Sequence, residues 1–261
     1  MRETSLAPPT SIPDVIVWQA PPVKPAVTFD QVHLWRAWLD VPDAVVTSLQ
    51  STLAPDETAR AARIRRTQDR DRYVAARGVL RAILGRYLDI EPRRVRFEYN
   101  THGKPSVKLP VAPGSCTVSF NVSHSHGMAL FAIAGERAVG MDVELVRPEV
   151  AMQNIPEHFF SRDEAAALRS LPVDDQPLAF YQVWTGKEAV AKARGEGIKR
   201  SLADIEVSLA PGQPPRLLRL AGGPDQAARW SLRSYYPAAG YVAALAVESH
   251  GWRLATWDWQ W

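Results

Sequence analysis

The chain has 261 residues, 46% hydrophobic and 23% charged, with a formal net charge of +3. That is the balance of an ordinary soluble protein, long enough for one large domain or two small ones sharing a core, and its mild basicity suits an acidic partner without requiring one. The single cysteine, Cys116, excludes an internal disulfide framework or a cysteine-based zinc site. No run approaches the roughly 18 apolar residues of a membrane span, and the N-terminus lacks the layout of a secretory signal. A cytoplasmic protein is expected.

Residues 1–28 hold Pro8, Pro9, Pro13, Pro21, Pro22 and Pro25, and read as a loose N-terminal extension. Ordered structure is expected from the short alternating strand Val32–Trp35, followed by a brief helix over 43–51. From Pro55 to Leu88 the pattern is helical, with Tyr73, Ala76, Leu80, Ile83, Leu84 and Tyr87 as its apolar face and many arginines between them. Three strands are expected at Thr117–Val122, Met128–Ala134 and Ala138–Leu145. Ser161-Arg162-Asp163-Glu164 has the spacing of a capping box and should start a helix reaching about Ser170. A second helix, about Leu178 to Arg194, stops at Gly195. The tail carries strand-like segments near Ile205–Leu209, Trp230–Ser234, Tyr241–Val247 and Trp252–Trp257. Helices, strands, helices, strands in that order make an α+β fold, with room for two similar halves.

Chemistry concentrates in three stretches. In Val139-Gly140-Met141-Asp142-Val143-Glu144 the alternation argues for a strand, which puts Asp142 and Glu144 side by side next to a core. Two carboxylates that close need a cation or a shared proton; a hard divalent ion answers, and so does an arginine or solvent. In Trp184-Thr185-Gly186-Lys187-Glu188-Ala189-Val190-Ala191-Lys192, Glu188 and Lys192 stand at i and i+4 on one helix face. They read either as a surface ion pair or as a third oxygen ligand with a phosphate contact. In Phe120-Asn121-Val122-Ser123-His124-Ser125, a strand ends in hydroxyl and imidazole groups that suit a turn or a phosphate. His124 and His126 lack a third ligand for a histidine-type metal site.

Together and in this order, the three stretches resemble the 4'-phosphopantetheinyl transferase superfamily, with further matches at Asn100–Pro105, Phe159-Phe160-Ser161 with Glu164, and Ala193–Ile198. Length and layout look like the monomeric surfactin-synthetase-activating type. The resemblance spans roughly residues 30–250 and implies two pseudo-symmetric α+β halves, each a small antiparallel sheet packed with helices, over 29–135 and 136–261, with the active site between them. It implies transfer of phosphopantetheine from coenzyme A to a serine of an apo acyl or peptidyl carrier protein, releasing 3',5'-ADP and requiring Mg2+, with Mn2+ a possible substitute. By the resemblance, Asp142, Glu144 and Glu188 would hold the metal. Glu188 would take the serine proton, and Lys192 and His124 would contact the pyrophosphate. Lys104 and Ser123 would lie near the adenosine 3'-phosphate, as could Arg63, Arg66, Arg70 and Arg77. The segment Ala151–Leu171 would meet the carrier. A monomer with no nucleic-acid or membrane partner is expected. A nucleic-acid-binding module, a Mg2+-dependent nucleotide phosphohydrolase and a family member that has lost transfer are the rival readings.

Overall fold

The computed structural model describes residues 16–108, 118–151, 159–195, 202–209 and 215–261. The first fifteen residues of the Pro-rich extension, Cys116, the first residue of the expected strand at Thr117, residues 152–158 of the expected carrier-facing segment, and Glu196–Ile198 lie outside them.

Four layers stack as helix, sheet, sheet, helix. The first sheet has the order β11-β1-β5-β4, from β1 (Gln31–Trp38), β4 (Ser119–Ser125), β5 (Met128–Ala134) and β11 (Arg253–Asp258). The second has the order β6-β10-β9, from β6 (Val139–Leu145), β9 (Ser231–Tyr235) and β10 (Tyr241–Val247). Two small hairpins pair β2 (Phe97–Tyr99) with β3 (Pro105–Val107), and β7 (Glu206–Val207) with β8 (Leu217–Arg219). The helices are α1 (Asp43–Gln50), α2 (Pro55–Ala62), α3 (Thr67–Leu88), α4 (Pro148–Ala151), α5 (Arg162–Ser170), α6 (Gln176–Arg194) and α7 (Pro224–Ala227). The α+β class with two helix-packed sheets is as the sequence suggests. All pairings in the two main sheets are antiparallel except β1 with β11, which run parallel. No helix among the described residues is long and apolar enough to cross a membrane.

The two-residue period of the strands builds the layers. In β5, Ala129, Phe131 and Ile133 face α3 and join Ala76, Val79, Leu80, Ile83 and Leu84 in one core. The alternate residues Met128, Leu130, Ala132 and Ala134 face the second sheet and meet Val139, Met141, Val143, Ala243, Leu245 and Val247. In β10, Val242, Ala244 and Ala246 turn the other way, toward Ala189, Val190 and Ala193 of α6. Both central strands are therefore buried on both faces, which is why their sequences are almost wholly apolar.

The expected single helical stretch from Pro55 to Leu88 is two helices, broken at Arg63–Arg66. The Pro-rich extension is not loose where it is described. Gln19 bridges to Trp257 on the outer edge of β11, Trp18 Nε1 donates to Pro237 O at 3.1 Å, and Val27 is buried. Proline lacks only the donor, and an edge position tolerates that.

His33 of β1 is buried beside α3. The Tyr87 hydroxyl accepts from Trp35 Nε1 at 3.0 Å and so donates its proton to His33 Nδ1 at 2.6 Å. That leaves Nε2 as the protonated nitrogen, facing Gln31 Oε1 at 3.3 Å. Burial holds His33 down to about 4. A folded value below the ordinary 6.5 means stability is full above pH 6.5 and is lost as pH falls toward 4, by about 3 kcal/mol for this group. Urea unfolding of the His33→Gln variant at pH 7.5 and 4.5 should show a smaller acid loss than the parent by about that amount; equal losses would disprove the assignment.

Candidate active site

The site forms where α6 lies across β6. Val139, Met141 and Val143 point into the inter-sheet core, so Gly140, Asp142 and Glu144 take the opposite face, toward α6. Gly140 lets the helix come close: a Cβ there would stand 2.0 Å from Ala189 O and 2.4 Å from Ala193 N. Glu188 and Lys192, about one helical turn apart on α6, then face the strand's carboxylates. Lys192 Nζ donates to Asp142 Oδ1 at 2.5 Å and to Ser123 Oγ at 3.1 Å. Asp142 and Glu188 are buried, at 2% and 4% exposure.

The third contributor is β4. The strand does not stop before its polar residues but runs through Ser125, and it carries them along the free edge of β6. Asn121 Oδ1 accepts from Met141 N at 2.8 Å, Ser123 Oγ from Val143 N at 3.3 Å, and Ser125 Oγ from Leu145 N at 3.2 Å. Side chains at alternate positions thus replace the backbone carbonyls of a missing strand and join the two sheets. Each serine proton then goes to an acid: Ser123 donates to Asp142 Oδ1 and Ser125 to Glu144 Oε2, both at 2.7 Å.

Charge is unevenly shared. Burial, then the Asp142 charge, pushes Glu188 up to about 7, with Lys192 opposing. Burial and Asp142 also raise Glu144, against the Ser125 hydroxyl, Lys192 and Arg147. Lys192 is held above its ordinary value by Asp142, Glu188 and Glu144, although burial acts in the opposite direction. His124 sits exposed at the rim; partial loss of water, then the charges of Lys192 and Arg60, lower it. Asp142 Oδ2 is buried with no hydrogen-bond partner. Among the described residues, no three His, Cys, Asp or Glu side chains are gathered in metal-ligand geometry; Lys192 fills the place among the carboxylates.

The remaining sequence candidates fall into two groups. Lys104 Nζ donates to Ala193 O at 2.7 Å and Val139 O at 3.3 Å, and Asn100 Nδ2 donates to Gly195 O at 2.9 Å. Together they tie down the C-terminal end of α6, where a cation also meets the negative end of the helix dipole. Burial holds Lys104 down to about 8. Arg77 donates to Glu57 Oε1 and to the Tyr99 hydroxyl, both at 2.7 Å, and stacks over Phe97. Arg70 pairs with Asp71. Arg63 and Arg66 are exposed at the α2–α3 break. The sequence shows Arg60 only as one arginine of a basic run and Ser125 only as one hydroxyl of the Phe120–Ser125 stretch, and Arg147 was missed. Arg60 acts on His124, and Arg147 bonds Tyr181 and acts on Glu144. An arginine just past the D-x-E strand was the available signal.

Lys187, one residue from Glu188, points the other way. Its Nζ donates to Glu164 Oε2 at 2.6 Å and to Ile205 O, and it is fully buried. Glu164 completes the capping box at Ser161 and accepts from Val207 N at 2.8 Å. Lys187→Met strands a buried carboxylate and is expected to cost roughly 3 kcal/mol. The double variant with Glu164→Gln should recover much of that. Urea midpoints of the four proteins decide it; an unaltered midpoint in the single variant would refute the pairing.

Residues 36–137 match the 4'-phosphopantetheinyl transferase N-terminal family, and residues 138–246 match the 4'-phosphopantetheinyl transferase superfamily. The chain is 39% identical over 240 residues to 4'-phosphopantetheinyl transferase HetI of Nostoc sp., covering 92% of this chain and 97% of that protein. It is 30% identical over 205 residues to 4'-phosphopantetheinyl transferase psf-1 of Bacillus pumilus (77% and 82% covered). It is 26% identical over 198 residues to 4'-phosphopantetheinyl transferase Sfp of Bacillus subtilis (76% and 83% covered). The protein is an enzyme of the transferase class. It belongs to the 4'-phosphopantetheinyl transferase superfamily, and by identity it is nearer to the Nostoc protein than to the surfactin-type one.

Proposed function

We propose that the protein moves phosphopantetheine from coenzyme A to a serine hydroxyl of an apo acyl or peptidyl carrier protein and releases 3',5'-ADP, as a Mg2+-dependent cytoplasmic monomer. The observation that carries this reading is the convergence of Asp142, Glu144, Glu188 and Lys192 from one strand and one helix on a single largely buried site. Phosphoryl transfer asks a protein mainly for alignment and charge neutralisation, and this site has both signs of charge.

Three carboxylates are the donor chemistry that a hard divalent cation takes, although Lys192 stands among them here. The unpartnered Asp142 Oδ2 and a Glu188 carboxyl raised by burial and then by the Asp142 charge are what a carboxylate site shows when its counter-charge is insufficient. Asp142, Glu144 and Glu188 would hold the ion, and when bound it would neutralise the pyrophosphate. The serine oxygen attacks the β-phosphorus, the bond to the bridging oxygen breaks, and the ADP oxygen leaves with the electron pair. Glu188 accepts the serine proton. Lys192, anchored on Asp142 and Ser123, carries a positive charge toward the oxygens that become negative. His124 and Arg60 lie at the rim where a phosphate would enter. Arg63 and Arg66, exposed, are better placed to reach the 3'-phosphate than Arg77, whose guanidinium is already bonded to Glu57 and Tyr99. Lys104, its amine held by two backbone carbonyls, steadies the end of α6, and Ser123 steadies Asp142 at the pyrophosphate.

Intact-mass spectrometry of an apo peptidyl carrier protein, incubated with the enzyme, coenzyme A and Mg2+, tests the reading. One added phosphopantetheine, lost with EDTA, is expected. No gain on peptidyl, polyketide and fatty-acid carriers, with no coenzyme A binding by calorimetry, would overturn it. 3',5'-ADP formed from coenzyme A without any carrier would point to the hydrolase reading instead.

A further inference from the structure

We propose that Ser125 is a positioning residue that sets the Glu144 carboxylate for its role in the site; the inference rests on the carboxylate reading given above. Ser125 Oγ accepts from Leu145 N at 3.2 Å, and His126 Nδ1 lies 3.2 Å from the same oxygen. A hydroxyl has one proton and two lone pairs. With its acceptor side turned to the β6 backbone, its proton is left for Glu144 Oε2, 2.7 Å away. The bond from Leu145 N fixes where the hydroxyl oxygen sits on β6, and an ionised carboxylate, which can only accept, takes its proton.

Glu144 needs such a restraint. It is only partly buried and lies near the end of β6, and exposed Arg147 attracts it from outside the site while Asp142 repels it from within. Lys192, bonded to Asp142, draws Glu144 inward, so the charges pull in opposing directions and the Ser125 hydroxyl is the one directed bond that selects the inward position. Ser123 makes the same pair of bonds one rung earlier, to Val143 N and Asp142 Oδ1. Among the described residues, Asn121 makes the backbone bond to Met141 N and bonds no acid. The ladder thus holds its own control: one rung that joins the sheets without touching an acid.

The test is Mn2+ binding by the full chain with coenzyme A and no carrier, read from the electron paramagnetic resonance of the free ion, with a urea midpoint for each variant. Ser125→Ala should weaken Mn2+ binding about tenfold, as removal of a hydrogen-bond partner of a ligating carboxylate typically does. Ser125→Thr, which keeps the hydroxyl, should restore it. Asn121→Ala should lower the midpoint and leave Mn2+ affinity unchanged. Should Ser125→Ala not fold, Ser125→Cys, a similar shape with a weak donor, is expected to show the same loss. Wild-type affinity in Ser125→Ala, or equal weakening in Asn121→Ala, overturns the inference. Asp142→Ala separates the two levels. If that variant also binds Mn2+ like the parent, the carboxylate reading fails and the inference with it. If it has lost the ion while Ser125→Ala has not, only the inference fails.

Discussion

Asp142→Ala is expected to lower transfer to a carrier protein by about a thousandfold or more while the chain stays folded. Asp142 is the most connected acid of the site: Oδ1 takes bonds from Lys192 and Ser123, and Oδ2 is buried without a partner. Its loss removes the anchor of the lysine and the oxygen most in need of a cation. The fold should tolerate the change. Lys192 keeps Ser123 and the charges of Glu188 and Glu144, and Glu188 is relieved of the Asp142 charge that raises it. The net cost in stability should be about 2 kcal/mol or less, below that of a buried pair left with one lone charge. The rate of carrier modification and a urea midpoint are the measurements. Near-normal turnover by a folded variant would sink the assignment of the site.

The second large effect concerns packing. Gly140→Ala is expected to destabilise the protein by more than about 3 kcal/mol, beyond the usual range for one extra methyl in a core. The new carbon would meet the carbonyl of Ala189 and the backbone of Ala193, and neither belongs to a flexible side chain that can turn aside. The helix would have to lift off the strand, taking Glu188 and Lys192 with it. Gly186 lies on the same helix, yet a Cβ there would stand 3.4 Å from Leu232 and Val207 side chains, an ordinary contact. Gly186→Ala should therefore change stability by no more than about 1 kcal/mol, with helix propensity in its favour. Comparable urea midpoints for the two variants would show that the α6–β6 approach is softer than its geometry implies.

The local periods were legible, and they placed the acids well. Two-residue spacing put Asp142 and Glu144 on one face of a strand, four-residue spacing put Glu188 and Lys192 on one face of a helix, and Ser161 with Glu164 announced a capping box that forms. The meeting of those faces was not legible, because which element packs on which is decided by long-range burial. The reach of β4 was underestimated for a related reason. In isolation the serines and histidines there suit a turn or a phosphate, and the hydrogen bonds of Asn121, Ser123 and Ser125 to β6 depend on a neighbour about 20 residues away. The short strands β2, β3 and β8 have too few residues to display a period. The break at Arg63–Arg66 falls inside a helix-favouring sequence and has no proline or glycine to mark it.

The parallel pairing of β1 with β11 has a consequence for synthesis. Arg36 and its ion-pair partner Asp258 are 222 residues apart along the chain. At about 5–20 residues per second on a ribosome, β1 emerges roughly 10–45 s before the strand that will cover its outer edge. For that interval the nascent first sheet presents one unpaired edge, on a strand rich in apolar residues, the kind of surface on which unfinished chains associate with one another. A chain shortened before Arg253 would keep that edge open permanently, although every residue of the acid site would still be present.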